Sequence, residues 1–105
     1  ISIRVPVPAG SIVDITFIAK RPTTREEVNG ILKVAAKDPR WMKLFAVTEE
    51  PLVSSDILGQ SYASIADLEL TRVVGGNLVK VMGWYDNEMG YTYTLVDHVI
   101  KTGQI

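Results

Sequence analysis

Apolar residues alternate with polar ones at the start of the chain, and this alternation is typical of a half-buried β-strand. Ile1, Ile3, Val5 and Val7 form the apolar set, so the pattern predicts a strand over residues 1–7. Prolines occupy positions 6 and 8 of the same segment and remove two backbone donors, which favours an edge strand or a strand end.

Other strand signals follow, rich in β-branched and aromatic residues. They predict strands over 12–19, 63–74 and 78–84, with the last two joined by a hairpin turn at Gly75-Gly76-Asn77. Residues 41–47 are apolar enough for a short strand or a packed turn, and residues 49–61 have the composition of a loop.

Two segments have the period of an amphipathic helix. Thr24 and Glu27 have capping-box spacing before an apolar stripe, and they predict a helix over about 24–37 that ends before Pro39. Apolar residues from Tyr91 onwards predict a terminal helix, with Gly103 at the position of a C-cap. The whole pattern is that of an α+β domain with an antiparallel sheet.

Composition narrows the possible functions. The 105 residues are 47% apolar and 22% charged with a net charge of −1, which is typical of one compact soluble domain and gives no electrostatic reason to bind nucleic acid or an anionic membrane. The absence of cysteine excludes disulfides, thiolate metal sites and a cysteine nucleophile within this chain. The sequence has no metal-ligand cluster and no apolar run long enough to span a bilayer, so the cytoplasm is the expected location.

The first residues also bear on whether this chain is part of a longer protein. The sequence enters a strand pattern at once, without an initiator methionine or a leading loop. We therefore expect the chain to be a piece of a longer protein.

The segment WYDNEMGY at 84–91 concentrates groups that can recognise a ligand. Asn87 falls where the last strand meets the last helix, and its amide offers the donor and acceptor that another carboxamide needs. Tyr85 and Tyr91 offer flat surface to a planar ring. The alternative is that Asn87 only caps the helix and the aromatic residues belong to the core.

Arg4 is a second candidate, because its planar guanidinium is suited to binding an anion through two parallel hydrogen bonds. The alternative is an ordinary solvated charge. His98 is expected to be a surface residue, since no hydroxyl or thiol partner accompanies it. Ser54-Ser55-Asp56 lacks the rest of a catalytic triad and is better explained by turn or interface hydrogen bonds.

Four stretches together resemble the carboxyl-terminal part of the glyceraldehyde-3-phosphate dehydrogenases. They are RVPVPAGSIVDIT (4–16), REEVNGILKVAAK (25–37), TEEPLVSSDILG (48–59) and VKVMGWYDNEMGYTYTLVD (79–97). The resemblance covers essentially the whole chain. It implies that residues 1–105 are a C-terminal segment of the catalytic domain, whose large sheet carries helices on one face, without the amino-terminal Rossmann domain.

The resemblance also implies a reaction and residue roles. Such an enzyme oxidises glyceraldehyde-3-phosphate with NAD and inorganic phosphate to 1,3-bisphosphoglycerate, as a homotetramer, through a cysteine nucleophile and a histidine base. These two residues would lie upstream of Ile1, so the segment alone would be inactive. Asn87 would bind the nicotinamide carboxamide, Tyr91 would pack beside that ring, and Arg4 would bind phosphate or the substrate's phosphoryl group.

Two matters stay open at this point. NADP is not excluded, and the related erythrose-4-phosphate dehydrogenases share much of this segment. A stand-alone binding or assembly module derived from the same domain is the alternative function.

Overall fold

The structure, a computed structural model, describes residues 3–105. Its elements are β1 (Ser11–Ile18), α1 (Arg25–Ala35), β2 (Phe45–Thr48), α2 (Ser54–Ile57), β3 (Ser64–Val74), β4 (Leu78–Tyr85) and α3 (Met89–Gly103). The four strands form one sheet in the order β1-β4-β3-β2. Both neighbours of β4 are antiparallel to it, and β2 is parallel to β3. The predicted α+β class with a mainly antiparallel sheet is confirmed.

The predicted strand over residues 1–7 is wrong where the structure describes it. Residues 3–10 form no strand, and their side chains are exposed up to Pro8. Pro6 and Pro8 remove backbone donors, and Gly10 has a φ of +92°, which turns the chain before β1 begins at Ser11. Ile1 and Ser2 lie outside the described residues.

Helix α1 begins as its sequence predicts. The Thr24 side chain accepts a hydrogen bond from the Glu27 N–H at 3.1 Å, which satisfies one of the unpaired donors of the first turn. The Glu27 carboxylate does not complete the capping box, because it binds Arg21 and Thr23. The helix ends at Ala35, two residues before the predicted boundary.

Residues 41–47 are predicted to form either a short strand or a packed turn, and the structure contains both. A turn covers residues 41–44 and strand β2 follows from Phe45. The loop predicted over 49–61 contains the short helix α2, which the sequence pattern did not show. Its last residue, Ile57, is fully buried and anchors this otherwise polar segment.

The core lies along β3 and β4. Ile65, Ala66, Leu68 and Val79 are buried, and the predicted turn at Gly75–Asn77 joins the two strands. The pairing register shifts between Asp67 and Arg72, so β3 carries extra residues there. This irregularity explains why the apolar residues of β3 alternate only roughly.

Helix α1 lies against the sheet. Side chains of Arg25 and Asn29 both donate to the carbonyl oxygen of Leu68 at 3.1 Å, next to the register shift. The helix thereby supplies donors for a strand carbonyl where the regular ladder is interrupted.

Helix α3 starts two residues before the predicted position and continues through Gly103, so Gly103 is not the C-cap. Gly90 is its one buried residue. In residues 3–105, no helix has both the length and the apolar character needed to cross a membrane.

Candidate functional site

The turn between β4 and α3 is held by the carboxylate of Asp86, which is 6% exposed. Its Oδ1 accepts the N–H groups of Glu88 and Met89, both at 2.9 Å, and its Oδ2 accepts the N–H of Gly59 at 2.9 Å. The hydrogen bonds from Gly59, Met89 and Glu88 lower the pKa of Asp86, although burial acts in the opposite direction. Asp86 is therefore ionised at neutral pH, and its hydrogen bonds fix the start of α3.

Sequence reasoning missed Asp86 and assigned the possible capping role to Asn87. That alternative is wrong, because Asp86 accepts the first-turn N–H groups and Asn87 does not. The signal was present: an aspartate that directly follows a strand and precedes a helix by three residues is well placed to bind the first free N–H groups.

The side chain of Asn87 is exposed and makes one hydrogen bond within the described residues. Its Oδ1 accepts the backbone N–H of Gly10 at 3.2 Å. Within residues 3–105, its Nδ2 has no hydrogen-bond partner. The N–H₂ group is therefore the donor that this amide can offer to a ligand at the turn.

Asn87 and Tyr91 line the same open cavity of about 340 Å³. The other lining residues are Ala63, Tyr85, Asp86, Gly90 and Thr94. Tyr91 is 67% exposed, so it is not a core residue in this structure and its ring is available to a ligand. The structure thus brings together the two residues predicted to face the cofactor.

Gly90 forms part of the cavity wall because only a glycine fits there. A Cβ atom at this position would lie 2.7 Å from the carbonyl oxygen of Tyr62. The first turn of α3 therefore packs directly on the backbone that leads into β3. This close contact sets the place from which Tyr91 projects.

The other predicted candidates lie outside this cavity. Arg4 is exposed in the coil before β1 and makes no ion pair within residues 3–105. His98 is exposed on α3, as expected for a surface residue. Ser54, Ser55 and Asp56 belong to α2, where Asp56 accepts the Val53 N–H at 2.9 Å.

The residues that line this cavity can bind a ligand, but they include few groups that could react with one. It offers an oriented amide donor and an exposed aromatic ring, which together suit a planar ring that carries a carbonyl group. The chain contains no cysteine, and the cavity lining includes no histidine or lysine. These groups therefore describe one side of a binding site.

Comparison with known proteins identifies the family to which the chain is similar. Residues 1–87 match the family model for the C-terminal domain of glyceraldehyde 3-phosphate dehydrogenase. Asn87 is the last residue of that match, and α3 follows it.

Several curated relatives are similar over most of the chain, and all are called glyceraldehyde-3-phosphate dehydrogenase. The one from Borreliella burgdorferi is 46% identical over 97 residues, which is 91% of this chain and 29% of that protein. A relative from Streptomyces avermitilis is 47% identical over 97% of this chain and 30% of its own length. The one from Thermotoga maritima is 47% identical over 84% of this chain and 26% of its own length.

The chain thus spans less than a third of the length of these curated relatives. Both the family match and the level of identity place it among them, and the described fold is the α+β arrangement expected of that domain. The chain belongs to the glyceraldehyde-3-phosphate dehydrogenase family.

Proposed function

We propose that this chain is part of an NAD-dependent, phosphorylating dehydrogenase that converts glyceraldehyde-3-phosphate to 1,3-bisphosphoglycerate in glycolysis. In this proposal it supplies the side of the active site that faces the nicotinamide. The observation that carries the proposal is the Asn87 amide, whose oxygen accepts the Gly10 N–H and which lines the same cavity as Tyr91.

The described residues fit a nicotinamide. Asn87 Nδ2 would donate to the carboxamide oxygen of the ring, and Tyr91 would pack beside the ring itself. NAD and NADP carry the same nicotinamide, so this side of the site suits either cofactor. When bound, the cofactor supplies the hydride acceptor, and the contribution of this chain is to bind and orient it.

Arg4 would bind the inorganic phosphate or the phosphoryl group of the substrate. Its exposed position and lack of an ion pair within residues 3–105 leave the guanidinium available to an anion. An arginine is well suited to this task because its planar fork forms two parallel hydrogen bonds with a phosphate.

Catalysis needs a nucleophile that this chain does not contain. Covalent oxidation of an aldehyde to an acyl phosphate requires an activated thiolate, and the 105 residues include no cysteine. We therefore propose that residues 1–105 are the C-terminal segment of the catalytic domain, that the nucleophile and the Rossmann domain belong to the rest of the enzyme, and that the chain alone is inactive.

The exposed side of α3 supports a role within a larger assembly. Leu95, Val96, Val99 and Ile100 form an apolar stripe that residues 3–105 leave largely uncovered. Contiguous exposed apolar surface of this kind is typical of an interface. We propose that the rest of the enzyme covers it, in a cytoplasmic homotetramer.

The test uses the full-length protein that carries this chain, assayed for NAD reduction with glyceraldehyde-3-phosphate and inorganic phosphate. Asn87→Ala removes one hydrogen bond to the cofactor and should raise the KM for NAD at least about fivefold, with little change in melting temperature. Asn77→Ala in the β3–β4 turn is the matched control and should leave the KM unchanged. Normal kinetics in Asn87→Ala would refute the assigned role.

The phosphate role has its own test. Arg4→Lys keeps the charge but loses the planar fork, so the KM for phosphate or for the phosphorylated aldehyde should rise. Arg40→Lys is the control, because Arg40 pairs with Asp38 on an exposed surface. If both KM values stay unchanged even in Arg4→Ala, Arg4 is not an anion ligand.

A further inference from the structure

Two residues, Gly10 and Gly59, donate hydrogen bonds to the turn that carries Asn87. Gly10 packs against α2, and Gly59 follows α2 in the chain. The first hydrogen bond runs from the Gly10 N–H to Asn87 Oδ1. Gly10 lies directly against the first residue of α2, since a Cβ atom built on it would be 3.3 Å from the carbonyl oxygen of Ser54 and 3.4 Å from its Cβ. The N–H that holds the amide is therefore itself held by packing against α2.

The second hydrogen bond comes from a residue that follows α2. Gly59 donates its N–H to Asp86 Oδ2, while Asp86 Oδ1 binds the N–H groups at the start of α3. Ile57, between Ser54 and Gly59, is 1% exposed and anchors α2 in the core. The segment formed by α2 and Gly59 thus contacts both Gly10, which binds the Asn87 amide, and Asp86, which precedes Asn87 in the chain.

We propose that Gly10 and Asp86 are positioning residues that hold the Asn87 amide in one orientation, with its N–H₂ group outward and its oxygen inward. This inference rests on the proposed function for its ligand, a nicotinamide carboxamide. In this orientation the outward N–H₂ group suits a ligand that offers a carbonyl acceptor.

Position 10 has little tolerance for another residue. A φ of +92° lies in the left-handed region that favours glycine, and the space at its Cβ is tight. Gly10→Ala should therefore shift the N–H that binds Asn87. Gly76 offers a matched control, because it has a φ of +82° and open space at its Cβ, in the hairpin turn far along the chain.

The first measurement needs no enzymatic activity. Amide hydrogen exchange in the full-length protein should show a protected Gly10 N–H, and Asn87→Ala should accelerate its exchange at least about fivefold. Unchanged exchange at Gly10 in Asn87→Ala would overturn the proposal. This readout still applies if the wild-type protein fails the dehydrogenase assay, so failure of the proposed function and failure of the positioning role are distinguishable.

The second measurement separates positioning from loss of folded enzyme. Gly10→Ala and Asp86→Asn should each raise the KM for NAD about fivefold or more, because both would displace the Asn87 amide that is proposed to bind the nicotinamide carboxamide. The KM for glyceraldehyde-3-phosphate should stay constant, because Asn87 is not proposed to bind that substrate. Gly76→Ala should leave the KM for NAD at the wild-type value. A lower kcat with an unchanged KM for NAD in both variants indicates only a smaller folded fraction, and would overturn the assignment.

Discussion

The β3–β4 hairpin and helix α3 adjoin each other in the chain but are stabilised in different ways. Leu68 of β3 is 1% exposed and Val79 of β4 is fully buried, so the hairpin holds the centre of the core. In α3 only Gly90 is buried, and Val99 is 62% exposed. The helix is fixed at its first turn and extends from there with little cover from residues 3–105.

This difference separates the buried core of the chain from its candidate site. Burial of apolar side chains is the largest favourable contribution to folding, and the hairpin contains most of it. The start of α3 is instead fixed by hydrogen bonds and a close backbone contact, and these position the candidate site without much buried area. The four predictions below each rest on a pair of matched substitutions; two pairs compare the hairpin with α3, and two compare positions within α3 and the turn before it.

The largest difference should come from removing a leucine in each region. Leu68→Ala should lower the free energy of unfolding by about 3 kcal/mol, because it leaves a cavity in a filled core. Leu95→Ala in α3 should cost less than about 1 kcal/mol, since Leu95 is 44% exposed. Urea unfolding of both variants at one protein concentration tests this. Equal losses would show that α3 is as well packed as the hairpin.

A smaller effect is expected from adding a methyl group at either end of α3. Gly90→Ala places a Cβ atom 2.7 Å from the Tyr62 carbonyl oxygen, and backbone cannot move aside easily, so a loss of about 1–3 kcal/mol is expected. Gly103→Ala meets open space and should be neutral or stabilising by up to about 1 kcal/mol. Thermal unfolding of the pair measures both. A stable Gly90→Ala variant would mean that the first turn of α3 is not held against Tyr62.

Much of this fold could be predicted from local sequence signals. Thr24 and the apolar period after it gave α1, and Gly75-Gly76-Asn77 gave the hairpin turn, because capping and turn chemistry depend on neighbouring residues. The segment at 3–7 alternates like a strand but is not one. Alternation alone does not supply a partner strand, and the prolines at 6 and 8 remove the donors that a ladder needs.

The site was predictable only in part. The residue types around Asn87 and Tyr91 indicated ligand recognition, and the structure places both in one cavity. The contacts that orient them could not be read from the pattern, because Gly10 and Gly59 are distant in sequence from the turn that they hold. The functional roles of Asn87, Tyr91 and Arg4 stay predictions for the experiments above.

The acid sensitivity of the turn before α3 and of α3 itself should also differ. The folded-state pKa of Asp86 lies below its ordinary value, so its contribution to stability is complete above that value and is lost as the pH falls through the lowered pKa. Asp97 of α3 has a lowered pKa because of its hydrogen bond to Lys101, and the same sign applies. The Asp97 side chain is 46% exposed, so salt should screen its contribution, whereas the backbone hydrogen bonds of the buried Asp86 should resist salt.

Unfolding curves at several pH values, with and without added salt, measure this contrast. Asp86→Asn should flatten the decline of stability below about pH 4 at both salt concentrations. Asp97→Asn should do so weakly, and only at low salt. The prediction is wrong if added salt abolishes the effect of Asp86→Asn on the pH dependence of stability, or leaves the effect of Asp97→Asn unchanged.

The smallest effect concerns two threonines with opposite hydrogen-bonding states. The Thr71 hydroxyl in β3 is buried and has no partner within residues 3–105, so Thr71→Val removes an unsatisfied polar group at almost constant volume. It should leave the free energy of unfolding unchanged or raise it by up to about 1 kcal/mol. The Thr94 hydroxyl in α3 binds the carbonyl oxygens of Gly90 and Tyr91, so Thr94→Val should be slightly destabilising, by about 0.5 kcal/mol. Chemical unfolding resolves the opposite signs. A loss above about 1 kcal/mol in Thr71→Val would show that its hydroxyl is bonded after all, for instance to a buried water molecule, and that the hairpin core depends on a polar contact as α3 does.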